Sequence, residues 1–194
     1  MRADMRSALF LDRDGVINVD HGYVHRREDF EFIDGIFDLA RCATERDHLI
    51  FVITNQAGIG RGMYTEREFM ELTRWMCQVF SERGVPIANV YHCPFHPELG
   101  VGDFKRESID RKPGPGMILR AALDFGIDLA RSVLVGDRET DILAGIAAGI
   151  GCRLLFDPHG EPRTVSPDLS RTACVRALKD VESYLENRVM ERCS

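Results

Sequence analysis

The chain has 194 residues, of which 44% are hydrophobic and 29% are charged, with a formal net charge of −6. This composition is typical of a folded globular protein and excludes an intrinsically disordered chain. The negative charge gives no general attraction to nucleic acid or acidic membranes, so neither is an expected partner. No apolar run approaches the roughly 20 residues needed to cross a bilayer. We expect residues 1–194 to form a single domain.

The six cysteines are scattered, with no close Cys-x-x-Cys pair. The first residues of the chain lack the apolar core of a secretory signal. Without such a signal a disulfide framework is not expected, and buried thiols are the default. We therefore expect a cytoplasmic protein, and we expect it to be a monomer.

Short runs of apolar residues, too uniformly apolar for surface strands, alternate with segments of helical spacing. The predicted strands are 8–11, 49–53, 90–92, 133–135 and 153–156, and the predicted helices are 36–43, 65–80, 115–125, 141–148 and 177–189. Thr65 and Glu68 form a capping-box pattern at the second helix. The alternation predicts an α/β fold, a doubly wound parallel sheet with helices on both faces. Ligands bind beyond the carboxyl ends of such strands, where functional residues should lie.

Two carboxylates follow the first apolar run, at Asp12 and Asp14, with Gly15 behind them. Residues separated by one position in an extended chain project to the same side, and a glycine there permits a sharp turn. Such a pair can share a hard cation such as Mg²⁺, and one member can attack a phosphorus atom. Because an Asp-x-Asp sequence also occurs as a solvated strand end, the pair needs support from elsewhere in the chain.

Polar side chains follow the later runs in the same way. Thr54, Asn55 and Gln56 come after the second run and can donate hydrogen bonds to phosphate oxygens. Lys112 precedes a predicted helix start, which itself favours an anion. Asp137 follows the fourth run and can complete an Mg²⁺ shell with the acidic pair. Each could be an ordinary polar loop, but their order at successive strand ends favours one phosphate-handling site.

Asp-x-Asp, then Thr, then Lys, then Gly-Asp is the order of motifs in the haloacid dehalogenase superfamily of phosphatases, which this chain resembles. The resemblance implies a capless, haloacid dehalogenase-like domain. Large members insert a cap domain between these motifs, whereas here Asp14 to Thr54 is 40 residues and Thr54 to Lys112 is 58. Core helices and strands already take up most of both intervals.

The same resemblance implies a role for each motif residue. Asp12 would be the nucleophile that forms an aspartyl-phosphate, and Asp14 would be the general acid and base. Thr54 and Lys112 would hold the transferring phosphoryl group. Asp12 and Asp137 would bind Mg²⁺ together with the backbone carbonyl of Asp14.

A longer resemblance is to the bacterial D-glycero-D-manno-heptose 1,7-bisphosphate 7-phosphatases. It rests on the loop at 18–25, on 54–62, and on Cys-Pro and Arg-Lys-Pro sequences at 93–94 and 111–113. It implies that the C7 phosphate is removed, in nucleotide-activated heptose biosynthesis for lipopolysaccharide or capsule. A basic pair suits a bisphosphate, because the uncleaved phosphate also needs a partner. The implied substrate-binding residues are Asp20, His21, Gly22, Tyr23, Asn55, Gln56, Arg111 and Arg138.

The chain departs from zinc-carrying members of that family at three ligand positions. Cys93 remains, but the other positions are Phe95, Ser108 and Asp110. A structural zinc site generally has four nitrogen or sulfur ligands. Zinc is therefore not expected, and Mg²⁺ is the expected cofactor.

Two other functions stay open at this point. The sister histidinol-phosphate phosphatases have nearly the same motifs, and the sequence from Gly136 to Asp141 would fit them. The His21-Gly22-Tyr23 loop favours the heptose family instead. A phosphate-accepting signalling domain also uses aspartates, threonine and lysine, but its accepting aspartate lies at a later strand.

Overall fold

The computed structural model describes residues 5–160 and 172–186. The strands are β1 (Ala8–Leu11), β2 (Leu49–Asn55), β3 (Ile87–Cys93), β4 (Val133–Gly136), β5 (Cys152–Phe156) and β6 (Ala173–Val175). The α-helices are α1 (Ile36–Glu45), α2 (Ala57–Gly60), α3 (Glu66–Glu82), α4 (Gly116–Phe125), α5 (Glu139–Ala148) and α6 (Glu182–Glu186). The strands form one sheet in the order β3-β2-β1-β4-β5-β6, and all neighbouring pairs are parallel.

Strand β1 lies at the centre of the sheet and is fully buried. Leu9 and Leu11 pack into a core with α1, α3 and α6, whereas Ala8 and Phe10 pack into a second core with α4 and α5. Successive side chains of a strand point to opposite faces, so these two cores lie on the two faces of the sheet. The predicted doubly wound parallel sheet with helices on both faces is confirmed.

The helix starts follow local sequence signals. Thr65 caps α3: its hydroxyl accepts from the backbone N–H of Glu68, and the Glu68 carboxylate accepts from the backbone N–H of Thr65. This is the predicted capping box. Pro115 is the residue just before α4, rather than a member of its first turn. Helix α5 begins at Glu139, two residues earlier than predicted.

The structure differs from the predicted elements mainly where elements are short. Helix α2 has four residues and β6 has three, and neither is predicted from the sequence. The last predicted helix, 177–189, is a 3-10 helix at Leu178–Val181 followed by α6, and residues 187–189 lie outside the described residues. Such short elements are fixed by neighbouring strands rather than by their own periodicity.

The segments between the motif residues contain core elements only. From β1 to β2 these are α1 and a 3-10 helix at Arg27–Asp29. From β2 to α4 they are α2, α3, β3 and a 3-10 helix at Gly102–Phe104. Within residues 5–160 no cap domain is inserted, so loops alone border the carboxyl edge of the sheet. In the described part of the chain, no helix has the length and apolar character needed to cross a membrane.

Candidate active site

A cleft of about 520 Å³ lies at the carboxyl ends of the strands. It contains all the predicted catalytic residues and most of the predicted substrate-binding residues. Those that line it are Asp12, Asp14, Asp20, Gly22, Tyr23, Thr54, Asn55, Gln56, Arg111, Lys112 and Arg138. His21 is not among the lining residues: its half-exposed ring lies 3.6 Å from Glu31.

An acidic cluster around one lysine borders the cleft: Asp12, Asp141 and Lys112 line it, whereas Asp137 is not among the lining residues. Carboxylate oxygens of Asp12, Asp137 and Asp141 lie within 4.8 Å of one another. The Nζ atom of Lys112 is 2.8 Å from Asp12 Oδ1 and 2.7 Å from Asp141 Oδ1. It also donates to the backbone carbonyl of Ile53 at 2.9 Å. Lys112 and Asp141 are almost completely buried, at 3% and 1% exposure.

This burial changes how readily the acidic groups ionise. Burial raises the pKa of Asp12 to about 8; Lys112 opposes the rise, whereas Asp141 and Asp137 add to it. Burial and the neighbouring Asp141 raise the pKa of Asp137 to about 6. Burial alone would lower the pKa of Lys112, but Asp12 and Asp141 outweigh it and raise that pKa. One ammonium group cannot neutralise three carboxylates, so the cluster has the charge and oxygen donors that suit a hard divalent cation.

Two glycines allow the acidic residues to approach so closely. Gly15 has φ +89°, and a Cβ atom there would lie 2.5 Å from Cγ of Asp137. A Cβ atom at Gly136 would lie 2.6 Å from Cγ of Asp141. Both distances are too short for carbon atoms in contact, so any larger residue would displace an acidic side chain. Asp141 also accepts from the backbone N–H of Arg138 at 2.9 Å, which fixes it at the start of α5.

Asp14 lies beside this cluster, held by a buried arginine. Nη2 of Arg13 donates to both carboxylate oxygens of Asp14 at 2.8 Å, and also to the carbonyl of Val24 at 2.7 Å. Arg13 is only 1% exposed. Asn18 and Gln56 donate to the two Asp14 oxygens at 3.0 Å each. Asp14 is therefore fixed from three directions while one side faces the cleft.

The side-chain amides of Asn55, the last residue of β2, and of Gln56, which follows it, contact other residues of the site. Asn55 accepts from the backbone N–H of Lys112 at 3.0 Å and donates to its carbonyl at 3.1 Å. This pair of bonds holds the Lys112 backbone against β2. Gln56 donates to Thr54 at 2.8 Å as well as to Asp14. The structure therefore places both amides where they position catalytic groups, although both also border the cleft.

Loops on opposite sides of the cleft meet at its mouth. Arg138 binds Asp20 at 2.7 Å. Arg61 donates to the hydroxyl of Tyr23 and lies over its ring at 5.3 Å. Tyr23 has φ +54°, and the adjacent Gly22 donates its N–H to Asp20 at 2.9 Å. These contacts bring the predicted substrate loop over the catalytic residues.

Several residues of the site are not among the predicted site residues. Asp141 follows Asp137 by four positions, the spacing of one helical turn, which is the signal that could have identified it. Arg13 stands between the two predicted aspartates, and Arg61 lies in the glycine-rich segment after β2. Tyr64 gives no sequence signal, because it reaches the cleft only through the turn before α3.

Comparisons with known proteins agree with this geometry. A family model described as HAD-hydrolase-like matches residues 109–170. The chain is 53% identical over 178 residues to a D-glycero-alpha-D-manno-heptose-1,7-bisphosphate 7-phosphatase of Burkholderia mallei, covering 92% of this chain and 93% of the relative. It is 44% identical over 180 residues to a D-glycero-beta-D-manno-heptose-1,7-bisphosphate 7-phosphatase of Vibrio cholerae, covering 93% and 96%.

A solved structure has a similar fold. The D,D-heptose 1,7-bisphosphate phosphatase of B. bronchiseptica, complexed with magnesium and phosphate, matches with a TM-score of 0.76 and 25% identity, covering 92% of this chain and 97% of that one. The identity to the Burkholderia relative extends over nearly all of both chains. The first three motifs line one cleft, and Asp137 of the fourth lies in the acidic cluster beside it. The chain therefore belongs to the D-glycero-D-manno-heptose-1,7-bisphosphate 7-phosphatase family of haloacid dehalogenase-like hydrolases.

Proposed function

We propose that this protein is an Mg²⁺-dependent phosphatase that removes the C7 phosphate of D-glycero-D-manno-heptose 1,7-bisphosphate. The observation that carries the proposal is the pairing of Asp12 with Lys112 at 2.8 Å on the floor of the cleft. A carboxylate can attack a phosphate dianion only where positive charge offsets their repulsion, and Lys112 supplies it. The identity to heptose bisphosphatases supports the substrate.

In this proposal Asp12 attacks the phosphorus atom, and the bond from phosphorus to the C7 oxygen breaks. The leaving C7 oxygen keeps the electron pair of the broken bond and receives a proton from Asp14. The products of this step are the sugar hydroxyl and an aspartyl-phosphate on Asp12. Asp14 then accepts a proton from water as the water oxygen attacks phosphorus. The bond between Asp12 and phosphorus breaks, which releases inorganic phosphate and restores both side chains. Thr54 and Lys112 hold the phosphoryl oxygens.

The acidic cluster is the proposed Mg²⁺ site. Asp12 and Asp137 would bind the ion with side-chain oxygens, and Asp14 with its backbone carbonyl. Asp141, whose carboxylate oxygen lies within 4.8 Å of those of Asp12 and Asp137, would be a further oxygen donor. When bound, Mg²⁺ supplies positive charge next to the transferring phosphoryl group.

The mouth of the cleft is the proposed site for the sugar and for the phosphate that is not cleaved. Arg111 and Arg138 bring two guanidinium groups to the cleft, and such groups bind phosphate oxygens in pairs. Arg138 also binds the Asp20 carboxylate at 2.7 Å, at the mouth of the cleft. The loop with Gly22 and Tyr23 would contact the sugar.

The loop after β3 is proposed to need no zinc. Phe95, at one expected ligand position, packs against Phe104 with the ring centroids 5.9 Å apart and the rings tilted by 33°. The guanidinium of Arg106 lies over its ring at 3.9 Å. Asp110, at another, forms an ion pair with Arg120. Arg111 donates to the carbonyl of Phe95 at 3.3 Å. In this proposal, aromatic packing and an ion pair hold the loop without a metal.

The remaining parts of the proposal concern the cellular setting. We infer a single domain over residues 1–194 and a cytoplasmic monomer without nucleic-acid or membrane partners. One continuous sheet through the described residues supports the single domain. Cys77, Cys93 and Cys174 are free thiols, which suits a reducing compartment. The product would enter nucleotide-activated heptose biosynthesis for lipopolysaccharide or capsule.

Phosphate release from a substrate panel tests the proposal. The panel contains both C1 anomers of heptose 1,7-bisphosphate and histidinol phosphate, each with and without Mg²⁺. We expect a heptose bisphosphate to have the highest kcat/KM, and phosphorus NMR of the product to show that the C1 phosphate remains. Preferential hydrolysis of histidinol phosphate would assign the chain to the sister activity.

A further inference from the structure

Gln56 connects three polar groups in the wall of the cleft. Its Nε2 atom donates to Asp14 Oδ2 at 3.0 Å and to Thr54 Oγ1 at 2.8 Å. Its Oε1 atom accepts from the hydroxyl of Tyr64. Gln56 is 2% exposed, Thr54 is 1% and Tyr64 is 6%, so water has little access to these bonds. A buried group that loses such a partner is left unsatisfied, at a substantial free-energy cost.

The chemistry of the partners sets the direction of every bond in this chain. Arg13 donates to both oxygens of Asp14, so Asp14 is the acceptor in this network. The amide NH₂ of Gln56 must therefore face Asp14, and the amide oxygen must face Tyr64. Tyr64 is then the donor. Burial, as the largest effect, raises the pKa of Tyr64 to about 12, so its hydroxyl keeps the proton that it donates.

The consequence for Thr54 follows from its single hydroxyl hydrogen. Because Oγ1 of Thr54 accepts from Gln56, its own hydrogen does not point to the amide. Thr54 lines the cleft, so this hydrogen is available to a phosphoryl oxygen there. A reversed Gln56 amide would draw the hydrogen away and present an oxygen to Asp14.

We propose that Gln56, with its amide direction set by Tyr64, is a positioning residue that orients both the Asp14 carboxyl group and the Thr54 hydroxyl. This inference rests on the roles of Asp14 and Thr54 in the proposed function. Asp14 must face the leaving oxygen when it gives up its proton, and face water when it takes one back. Gln56 binds Oδ2 and Asn18 binds Oδ1, while Arg13 binds both oxygens. Gln56 is thus the side-chain amide that holds Oδ2 through both steps.

The glycine at 58 provides a separate observation. A Cβ atom there would lie 2.8 Å from Cζ of Tyr64 and 2.9 Å from Cδ1 of Tyr23. Gly58 therefore leaves the space that the Tyr64 ring occupies. Tyr64 also stacks on His25, with ring centroids 5.0 Å apart. These contacts hold the ring in a position from which its hydroxyl reaches Gln56.

The test compares two leaving groups in Gln56→Leu and Tyr64→Phe. One substrate is an alkyl phosphate, namely whichever sugar phosphate the wild-type protein hydrolyses best. The other is p-nitrophenyl phosphate, whose leaving group departs without a proton. Because general acid catalysis contributes about 10²- to 10⁴-fold, we expect Gln56→Leu to lower kcat/KM for the sugar phosphate at least about tenfold more than for p-nitrophenyl phosphate. Tyr64→Phe should show the same pattern with a smaller loss.

Matched changes elsewhere serve as controls. Gln78→Leu removes an exposed amide that binds Glu82, and Tyr91→Phe removes a hydroxyl that binds Asp124 from a ring also 6% exposed. Neither control should change the ratio of kcat/KM for the sugar phosphate to kcat/KM for p-nitrophenyl phosphate. Equal losses on both substrates, or no loss, would overturn the inference. Tyr64→Phe keeps the ring packing and decides the question if Gln56→Leu does not fold. If the wild-type protein prefers a sugar phosphate other than the heptose bisphosphate, the proposed substrate is refuted. The comparison of the two leaving groups still tests the role of Gln56 in that case, because it uses the preferred sugar phosphate.

Discussion

The ammonium group of Lys112 lies between two buried carboxylates, 2.8 Å from Asp12 and 2.7 Å from Asp141. Lys112 therefore contacts both the proposed nucleophile and another member of the proposed metal cluster. Asn55, at the end of β2, forms two hydrogen bonds with the backbone of Lys112. The position of the Lys112 ammonium group therefore depends on β2 as well as on the loop that carries Lys112. This arrangement gives the site enough positive charge to receive a phosphate and enough negative charge to bind a divalent cation.

Lys112→Met should remove that charge while keeping most of the side-chain volume. We expect kcat to fall by about 10²- to 10³-fold, as for the loss of one preorganised electrostatic group. Without Mg²⁺, the free energy of unfolding should fall by about 3 to 5 kcal/mol, because buried carboxylates lose their partner. Kinetics and urea unfolding measure the two effects. The exposed Lys179→Met is the control, and a Lys112→Met variant with near-normal kcat would contradict the account.

Gly15→Ala should weaken Mg²⁺ binding specifically. The Cβ atom of the introduced alanine would displace Asp137. The positive φ at position 15 would add roughly 1 to 2 kcal/mol of backbone strain to any residue with a Cβ atom. Gly84→Ala carries the same strain at φ +76° but meets nothing within 4 Å, so it isolates the effect of the displacement. Calorimetric titration with Mg²⁺ should show at least a tenfold weaker affinity in Gly15→Ala alone. Equal affinities in the two variants would mean that Asp137 is not a ligand.

Arg111→Ala should affect the bisphosphate more than a simple phosphate ester. A charge-assisted hydrogen bond contributes about 1.5 to 3 kcal/mol, so KM for the heptose bisphosphate should rise by roughly one to two orders of magnitude. A monophosphate without the second charge should lose much less. Arg67→Ala, an exposed change on α3, is the control. A uniform loss on both substrates would remove Arg111 from recognition of the uncleaved phosphate.

The alternation of apolar runs with helical segments predicts the parallel sheet, and the polar residues after those runs predict the edge at which the candidate site lies. Asp12 follows a buried strand and Lys112 precedes a helix. In a parallel sheet with helical connections, such positions meet at the carboxyl ends of the strands. The side-chain partners were not predictable in the same way. Asn55 and Lys112 are 57 residues apart, and their pairing depends on how the loop before α4 returns to β2. The turn of Asp14 toward Arg13 likewise depends on the burial of Arg13, which sequence spacing does not encode.

Protein purified without chelator should contain no stoichiometric zinc. Phe95 cannot coordinate a metal, and its ring is packed between Phe104 and Arg106. Cys93→Ser should therefore keep most of its activity and its melting temperature. Phe95→Ala should instead raise KM, because the loop that carries Arg111 loses its packing. Metal analysis that finds one equivalent of tightly bound zinc, lost with thermal stability in Cys93→Ser, would refute this view of the loop.

The central claim is that Asp12 becomes covalently phosphorylated, and a burst experiment on Asp14→Asn tests it most directly. With p-nitrophenyl phosphate the leaving group needs no proton, so the first step proceeds while hydrolysis of the aspartyl-phosphate lacks its base. A thermal melt first establishes that the variant is folded, since Asp14 is the partner of the buried Arg13. We expect a burst of about one equivalent of p-nitrophenol per active site, with the phosphoryl group on the peptide that contains Asp12, and no burst in Asp12→Asn. A burst that persists in Asp12→Asn, or a phosphoryl group on any other residue, would contradict the account.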